Sequence, residues 1–127
     1  MKEDPESYRF EDLLRDRKTE WNGVHNALAL KHLRAMHPGD EAIMYHTGEE
    51  RACVGLMRIS SAPHPDPNDD RGSWAVEVRP LRALKRPVPL AQLKHEAEFA
   101  ESPLVRMGRL SVLPLTDGQW DRVLALE

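Results

Sequence analysis

Residues 41–61, EAIMYHTGEERACVGLMRISS, decide how this chain folds. The runs 41–47 and 51–61 are rich in Ile, Val, Met and Tyr, and the tight turn Gly48-Glu49-Glu50 separates them, which predicts two hairpin-connected strands. Working back towards the N-terminus, Pro38-Gly39-Asp40 stops a helix that Asn26 caps, with Leu30, Leu33 and Met36 (or Ala29 with Leu33) as its apolar stripe. Before that helix lies a polar loop, KTEWNGVHN (18–26). Before the loop, YRFEDLLRD (8–16) places Phe10, Leu13 and Leu14 at helical spacing. Working forward, PHPDPNDDRG (63–72) holds three prolines and three aspartates and reads as an exposed loop. Residues 73–84 alternate, with Trp74, Val76 and Val78 on one side, until Pro80 interrupts pairing or marks an edge. Pro87 and Pro89 introduce a brief helix over 90–96, and LSVLPL (110–115) predicts another short strand. In the final helix Thr116 and Gln119 have capping-box spacing, and Trp120, Val123 and Leu124 form its buried face. Short strands interleaved with short helices, without regular crossover connections, predict an α+β fold. Its sheet is a strongly curved mixed one, a partly open barrel flanked by short helices.

At 127 residues the chain has one domain's worth of length, and 40% hydrophobic with 31% charged residues places it among globular sequences. It has no apolar run of membrane-spanning length, and MKEDPESYRF is too charged for a secretory signal. The expectation is a cytoplasmic protein with no membrane partner. The sequence leaves its oligomeric state open. Cys53 is the one cysteine and has no internal partner. A net charge of −3 excludes wholesale polyanion coating, so any nucleic acid must be held by a local patch.

Nothing in the chain spells out catalysis. The six histidines make no HExxH or Cys/His ligand spacing, so no metal site and no cofactor are expected. Cys53 lies inside an apolar strand and reads as a small buried hydrophobe, and Ser111 lacks the GxSxG elbow. No catalytic residue is assigned, and the chain is read as a non-enzyme. The informative side chains are aromatic. Trp120, with Val123 and Leu124, reads as core. Trp74 is either core or pocket wall. Trp21, in a polar loop, is either a lid on the core or a binding surface, and Tyr45-His46 offers a second flat face with hydrogen-bonding groups.

A longer succession then becomes visible: Lys2-x-x-Pro5 with Tyr8 and Asp12-Leu13, Trp21-x-Gly23-Val24-x-Asn26, Leu33-Arg34-x-Met36, and Gly39-Asp40. It continues through Tyr45-His46, Gly55, Pro65-Asp66-Pro67, Trp74-x-Val76, Arg86-Pro87-Val88, Leu93-Lys94, Pro103-Leu104, Arg109-Leu110-Ser111-Val112 and Trp120. In order and spacing this resembles an EVE domain, of the PUA-like superfamily, itself similar to the YTH readers of methylated RNA. The likeness covers the whole chain, so residues 1–127 are read as a single EVE domain.

The resemblance implies a curved sheet flanked by helices, with an aromatic pocket for a modified base, such as a methylated one, flipped from DNA or presented in RNA. By the same likeness Trp21 matches the tryptophan that walls the pocket, and Tyr45 an aromatic beside it. Val24, His25 and Asn26 match the loop and helix start at its border. Lys2 sits in the counterpart of the family's KSEP motif, and His46, Arg109 and Ser111 match polar groups lining the cleft. The family's first strand mostly precedes that lysine, so little of it is expected here. The chain departs from the family at Glu3-Asp4, where Ser-Glu is usual, at His25, where arginine is preferred, and at Leu28 and Leu30, which replace Tyr and Arg.

Physics is compatible with such a role. Flipping a base costs roughly a few kcal/mol. Stacking on an aromatic ring returns about 1–3 kcal/mol, and a buried methyl adds about 0.8 kcal/mol. On this reading Trp21 and Tyr45 stack on the base, Asn26 and Ser111 read its edge, and Lys2 and Arg109 hold phosphate, with Lys31, Arg34 and Arg106 as further cations. The partner is nucleic acid carrying a modified base. The alternative is a protein-interaction or scaffold domain with a degenerate pocket; an enzyme acting on nucleotides is disfavoured because no general base, nucleophile or metal set is visible.

Overall fold

A computed structural model describes residues 1–127. Its centre is the expected hairpin, β3 (Glu41–His46) and β4 (Ala52–Ile59), with Gly48 and Arg51 both at positive φ in the connecting turn. Around it lie β1 (Lys2–Glu3), β2 (Thr19–Trp21), β5 (His64–Pro65) and β6 (Trp74–Pro89). The sheet order is β1-β3-β4-β6-β2, with β5 pairing only β6. β1 runs parallel to β3 and all other pairs are antiparallel, so the sheet is mixed. The helices are α1 (Phe10–Asp16), α2 (Ala27–Arg34), α3 (Leu90–Leu93), α4 (Pro103–Arg106) and α5 (Asp117–Leu126), with one 3₁₀ turn at Ala97–Phe99. None is long and apolar enough to cross a membrane.

Three elements differ from the sequence reading. β6 does not stop at Pro80. It continues to Pro89, and the ladder absorbs the missing N–H with a register shift between Leu56 and Met57, where Met57 pairs with Pro80. A second shift lies between Cys53 and Gly55, where the partner on β6 jumps from Val88 to Ala83. Bulges of this kind bend a strand and increase its twist, and here they curl the sheet into the expected half-barrel. The segment 18–26 is not all loop, because Thr19–Trp21 forms the far edge strand. Residues 110–115 form no strand. Leu110 and Val112 alternate into the core and Ser111 O accepts only the Lys2 N–H, at 2.8 Å, without a continued ladder.

Both faces of the sheet are covered. One core joins Phe10 and Leu13 of α1, Ala29 and Leu33 of α2, and Trp21, Ala42, Met44, Met57, Val76 and Val78 of the sheet. The other joins Ile43, Tyr45, Leu56 and Val88 to Leu93, Phe99, Leu104 and Val123 of the C-terminal helices. Along β3, Ala42 and Met44 enter the first core, whereas Ile43 and Tyr45 enter the second, as the two-residue period of a strand requires.

Candidate functional site

A cleft of about 390 Å³ opens where the two ends of the sheet's N-terminal half approach each other, and Glu3, Tyr8, Thr19, Glu20, Trp21 and Asn22 line it. Asp4 organises the turn behind one wall. Its carbonyl accepts the N–H groups of Ser7 (2.9 Å) and Tyr8 (3.0 Å), and its Oδ1 accepts that of Glu6 at 2.9 Å, so the turn after β1 delivers Tyr8 to the cleft. The Tyr8 hydroxyl donates to Asp16 Oδ2 at 2.9 Å, which ties the ring to α1. The other wall is β2, where Trp21 pairs with Val76. Only 4% of Trp21 is accessible, so the indole is chiefly core and forms the cleft's floor.

The chain leaving Trp21 is pinned at successive points. The buried Ser73 hydroxyl donates to Val24 O at 3.0 Å. His25 bonds Asp69 through Nε2, and that contact is the main reason the Asp69 carboxyl is held down at about 2. Asn26 Oδ1 accepts the N–H groups of Leu28 and Ala29, both at 3.0 Å, as the N-cap of α2.

The expectation of one cleft walled by both Trp21 and Tyr45 is therefore corrected. Tyr45, 6% exposed, lines a second and mostly apolar cavity of about 380 Å³, together with Ala42, Ile43, Leu113 and Trp120. Burial pushes its phenol up to about 12. Trp21 shares its core with Met44, and the next residue on the strand points to the other face. Tyr8 is the ring that accompanies Trp21.

The polar candidates also separate. His46 is 1% exposed: its Nε2 accepts the Phe10 N–H at 3.1 Å and its Nδ1 donates to Glu50 at 2.9 Å, so it anchors the start of α1 and does not line either cavity. Lys2 is buried at 9%, lines the apolar cavity, and donates to Gly108 O (3.2 Å) and Met107 O (3.5 Å), with its ammonium 5.7 Å from the Tyr45 ring centroid. Val24 is buried, and Asn26 Oδ1 is committed to its cap. Of the further cations, Arg34 lies over the Trp74 ring at 4.4 Å and Arg106 pairs with Glu101 at 2.8 Å. Lys31 and Arg109 are exposed, and the Ser111 side chain is half-buried. No cluster of three His, Cys, Asp or Glu is arranged to hold a metal ion. Of the residues lining this cleft the sequence reading assigns Trp21 alone, and Glu3 and Tyr8 are among those it leaves out.

A mixed, strongly curled half-barrel with short helices on both faces and a small cleft at its edge defines a PUA-like domain. More narrowly, the chain belongs to the EVE domain family, whose model matches residues 1–126. Thymocyte nuclear protein 1 from Homo sapiens is 38% identical over 162 aligned positions, which take in 100% of this chain and 72% of the relative. The solution structure of Rpa0253 from Rhodopseudomonas palustris superposes with a TM-score of 0.92 at 33% identity, over 99% of this chain and 89% of that one. A crystal structure of human THYN1 protein in complex with 5-methylcytosine-containing DNA superposes with a TM-score of 0.88 at 34% identity, over 99% of this chain and 94% of that one.

Proposed function

We propose that this chain is a non-enzymatic module that takes a modified base of DNA, turned out of its stack, into the cleft between Tyr8 and Trp21. The observation that carries the reading is the cleft itself, an aromatic-walled recess of about 390 Å³ with hydrogen-bonding groups at its rim. That volume lies at the small end of the roughly 300–1,000 Å³ range of ligand pockets and suits one heterocycle rather than a larger ligand. The complex of the human relative with 5-methylcytosine-containing DNA supports the choice of ligand. Tyr8 supplies the stacking ring and Trp21 the apolar floor against which a methyl group is buried. Arg109 and Lys31 are exposed and without a carboxylate partner, as are Arg17 and Lys18 on the chain that enters β2 at the cleft, and these cations are free to meet phosphate.

The test is fluorescence anisotropy with short DNAs differing in one 5-methylcytosine, at several salt concentrations. Tyr8→Ala is expected to weaken binding about 5- to 150-fold, the equivalent of about 1–3 kcal/mol of stacking. Trp21→Ala has the same expected effect on binding, but it also removes a core side chain. Tyr8→Ala is therefore the decisive variant. Equal binding by wild type and Tyr8→Ala, or no salt-dependent binding at all, overturns the reading in favour of a scaffold domain.

A further inference from the structure

We infer that Glu3 selects the chemical class of base this cleft accepts, namely one that presents an exocyclic amino group, as cytosines and adenines do, over one that presents a carbonyl in its place. The inference rests on the base-binding reading proposed above and deepens it.

Glu3 is held from several sides. As half of β1 it pairs with His46, and its carbonyl accepts the Thr47 N–H at 2.9 Å. Its half-buried side chain lines the cleft with Tyr8 and Trp21. One carboxylate oxygen, Oε1, accepts the Asp4 N–H at 3.1 Å, which fixes the group's orientation, while Oε2 accepts nothing from the protein. A free, oriented carboxylate oxygen thus stands beside the recess. Burial is the largest influence on its proton and raises its pKa, against the opposing bond from Asp4. As a carboxylate it offers lone pairs only.

The other lining groups are Glu20, the Tyr8 hydroxyl and the neutral side chains of Ser7, Thr19 and Asn22, none of them a cation. Glu20 accepts from His64 Nε2 at 3.0 Å, and the Tyr8 hydroxyl already donates to Asp16. No lysine or arginine lines the cleft. With two carboxylates and no cation in its lining, the recess disfavours a phosphate, and the free Glu3 oxygen rewards an amino group, whose two N–H bonds need acceptors, over a carbonyl set against it. Carboxylates read the cytosine N4 amino group on this principle.

5-Methylcytosine and thymine make a discriminating pair. They share the 5-methyl group and the stacking face and differ only along one edge. Position 4 carries an amino group in the one and an oxygen in the other, and N3 is a bare acceptor in the first and an N–H donor in the second. The ratio therefore reads whether Glu3 faces the amino group rather than the ring N–H. The probe is a single strand of abasic sugar-phosphate with one such base at its centre, so backbone and stacking contributions cancel in the ratio of affinities. Wild type is expected to bind the 5-methylcytosine strand about tenfold more tightly, within the span that a good base-edge contact gives. In Glu3→Gln the amide can turn to donate or accept, and the ratio is expected to fall to within about twofold of one. Glu3→Ser, whose hydroxyl also does both, is the second variant and should flatten the ratio too.

A wild-type ratio near one, or a preference unchanged in both variants, overturns the role of Glu3 and leaves the cleft reading standing. Failure of wild type to bind either strand, with Tyr8→Ala equally inert, overturns the cleft reading and the inference with it.

Discussion

Replacing Gly55 with alanine tests the packing that holds the cleft's wall in place. An added Cβ at this β4 position runs into three carbons of the Phe10 ring, closer than real Cβ contacts come. The ring has nowhere to go. Phe10 is 1% exposed and opens α1, and its N–H is bonded to His46, which Glu50 holds in turn. Overpacking of this kind costs about 1–3 kcal/mol. A glycine-to-alanine change also stiffens the unfolded chain, which returns about 0.4–1 kcal/mol. The steric effect is the larger, and a net loss of about 1.3 kcal/mol is expected. For a chain of this size that is a fall in Tm of roughly 4–8 °C. Urea unfolding followed by tryptophan fluorescence measures it. A Phe10→Leu background, where the ring is gone, isolates the cause: there Gly55→Ala should cost at least about 1 kcal/mol less. A loss below about 0.5 kcal/mol in the wild-type background, or the same loss in both, refutes the steric argument.

Two further substitutions probe other anchors. Asn26→Ala removes the acceptor of two helix N–H groups and should destabilise the fold by about 0.5–2 kcal/mol in chemical denaturation, with Asn26→Asp close to wild type. Glu127 accepts both guanidinium N–H groups of Arg82 at 2.6 Å and the Lys85 N–H at 2.8 Å, and chiefly the Arg82 contact lowers its pKa to about 2 from 4.5. A carboxyl whose folded pKa is depressed stabilises above its unfolded value and loses that contribution as the pH falls through the folded one. Glu127→Gln should therefore melt below wild type at neutral pH, and the gap should close between about pH 4.5 and 2.

The reach of the sequence is clearest at β3. EAIMYHT reads as a strand from its residue types, and it is one. It does not show which way Tyr45 points, because every residue from Ala42 to His46 is buried. A strand covered on both faces has no polar side to set the alternation, so its orientation comes only from its partners. The helices were more legible because their signals are local: Asn26 and the pair Thr116–Gln119 cap α2 and α5 as their spacing implies. β2 was hidden for the opposite reason. Thr19-Glu20-Trp21 is too short to carry a period, and its only partner, Val76–Val78, lies more than fifty residues away. Leu110-Ser111-Val112 erred in the other direction, since alternation into a core produces a strand's pattern without a strand's ladder.

The same logic explains which aromatic rings share a cavity. Trp21 stood out as an aromatic among polar residues, and the structure does place it at a cleft. Tyr45 was joined to it because both are flat and near in the family's pattern, but the pairing of rings is a matter of sheet face, which sequence separation does not encode. Tyr8 went unassigned because YRFEDLLRD absorbs it into a helix that starts only at Phe10. The sign that distinguishes it is Asp4-Pro5, a turn former four residues before, which ends β1 and returns the chain past it. Polarity misled in a further way. His46 and Lys2 look like ligand-facing groups, yet the fold uses the one to receive the first N–H of α1 and the other to bind the carbonyls at 107 and 108. Their hydrogen bonds are needed inside the protein, because a buried imidazole or ammonium left unpaired costs more than a typical contact returns. At the cleft, by contrast, Glu3 keeps a carboxylate oxygen that no group of the protein bonds.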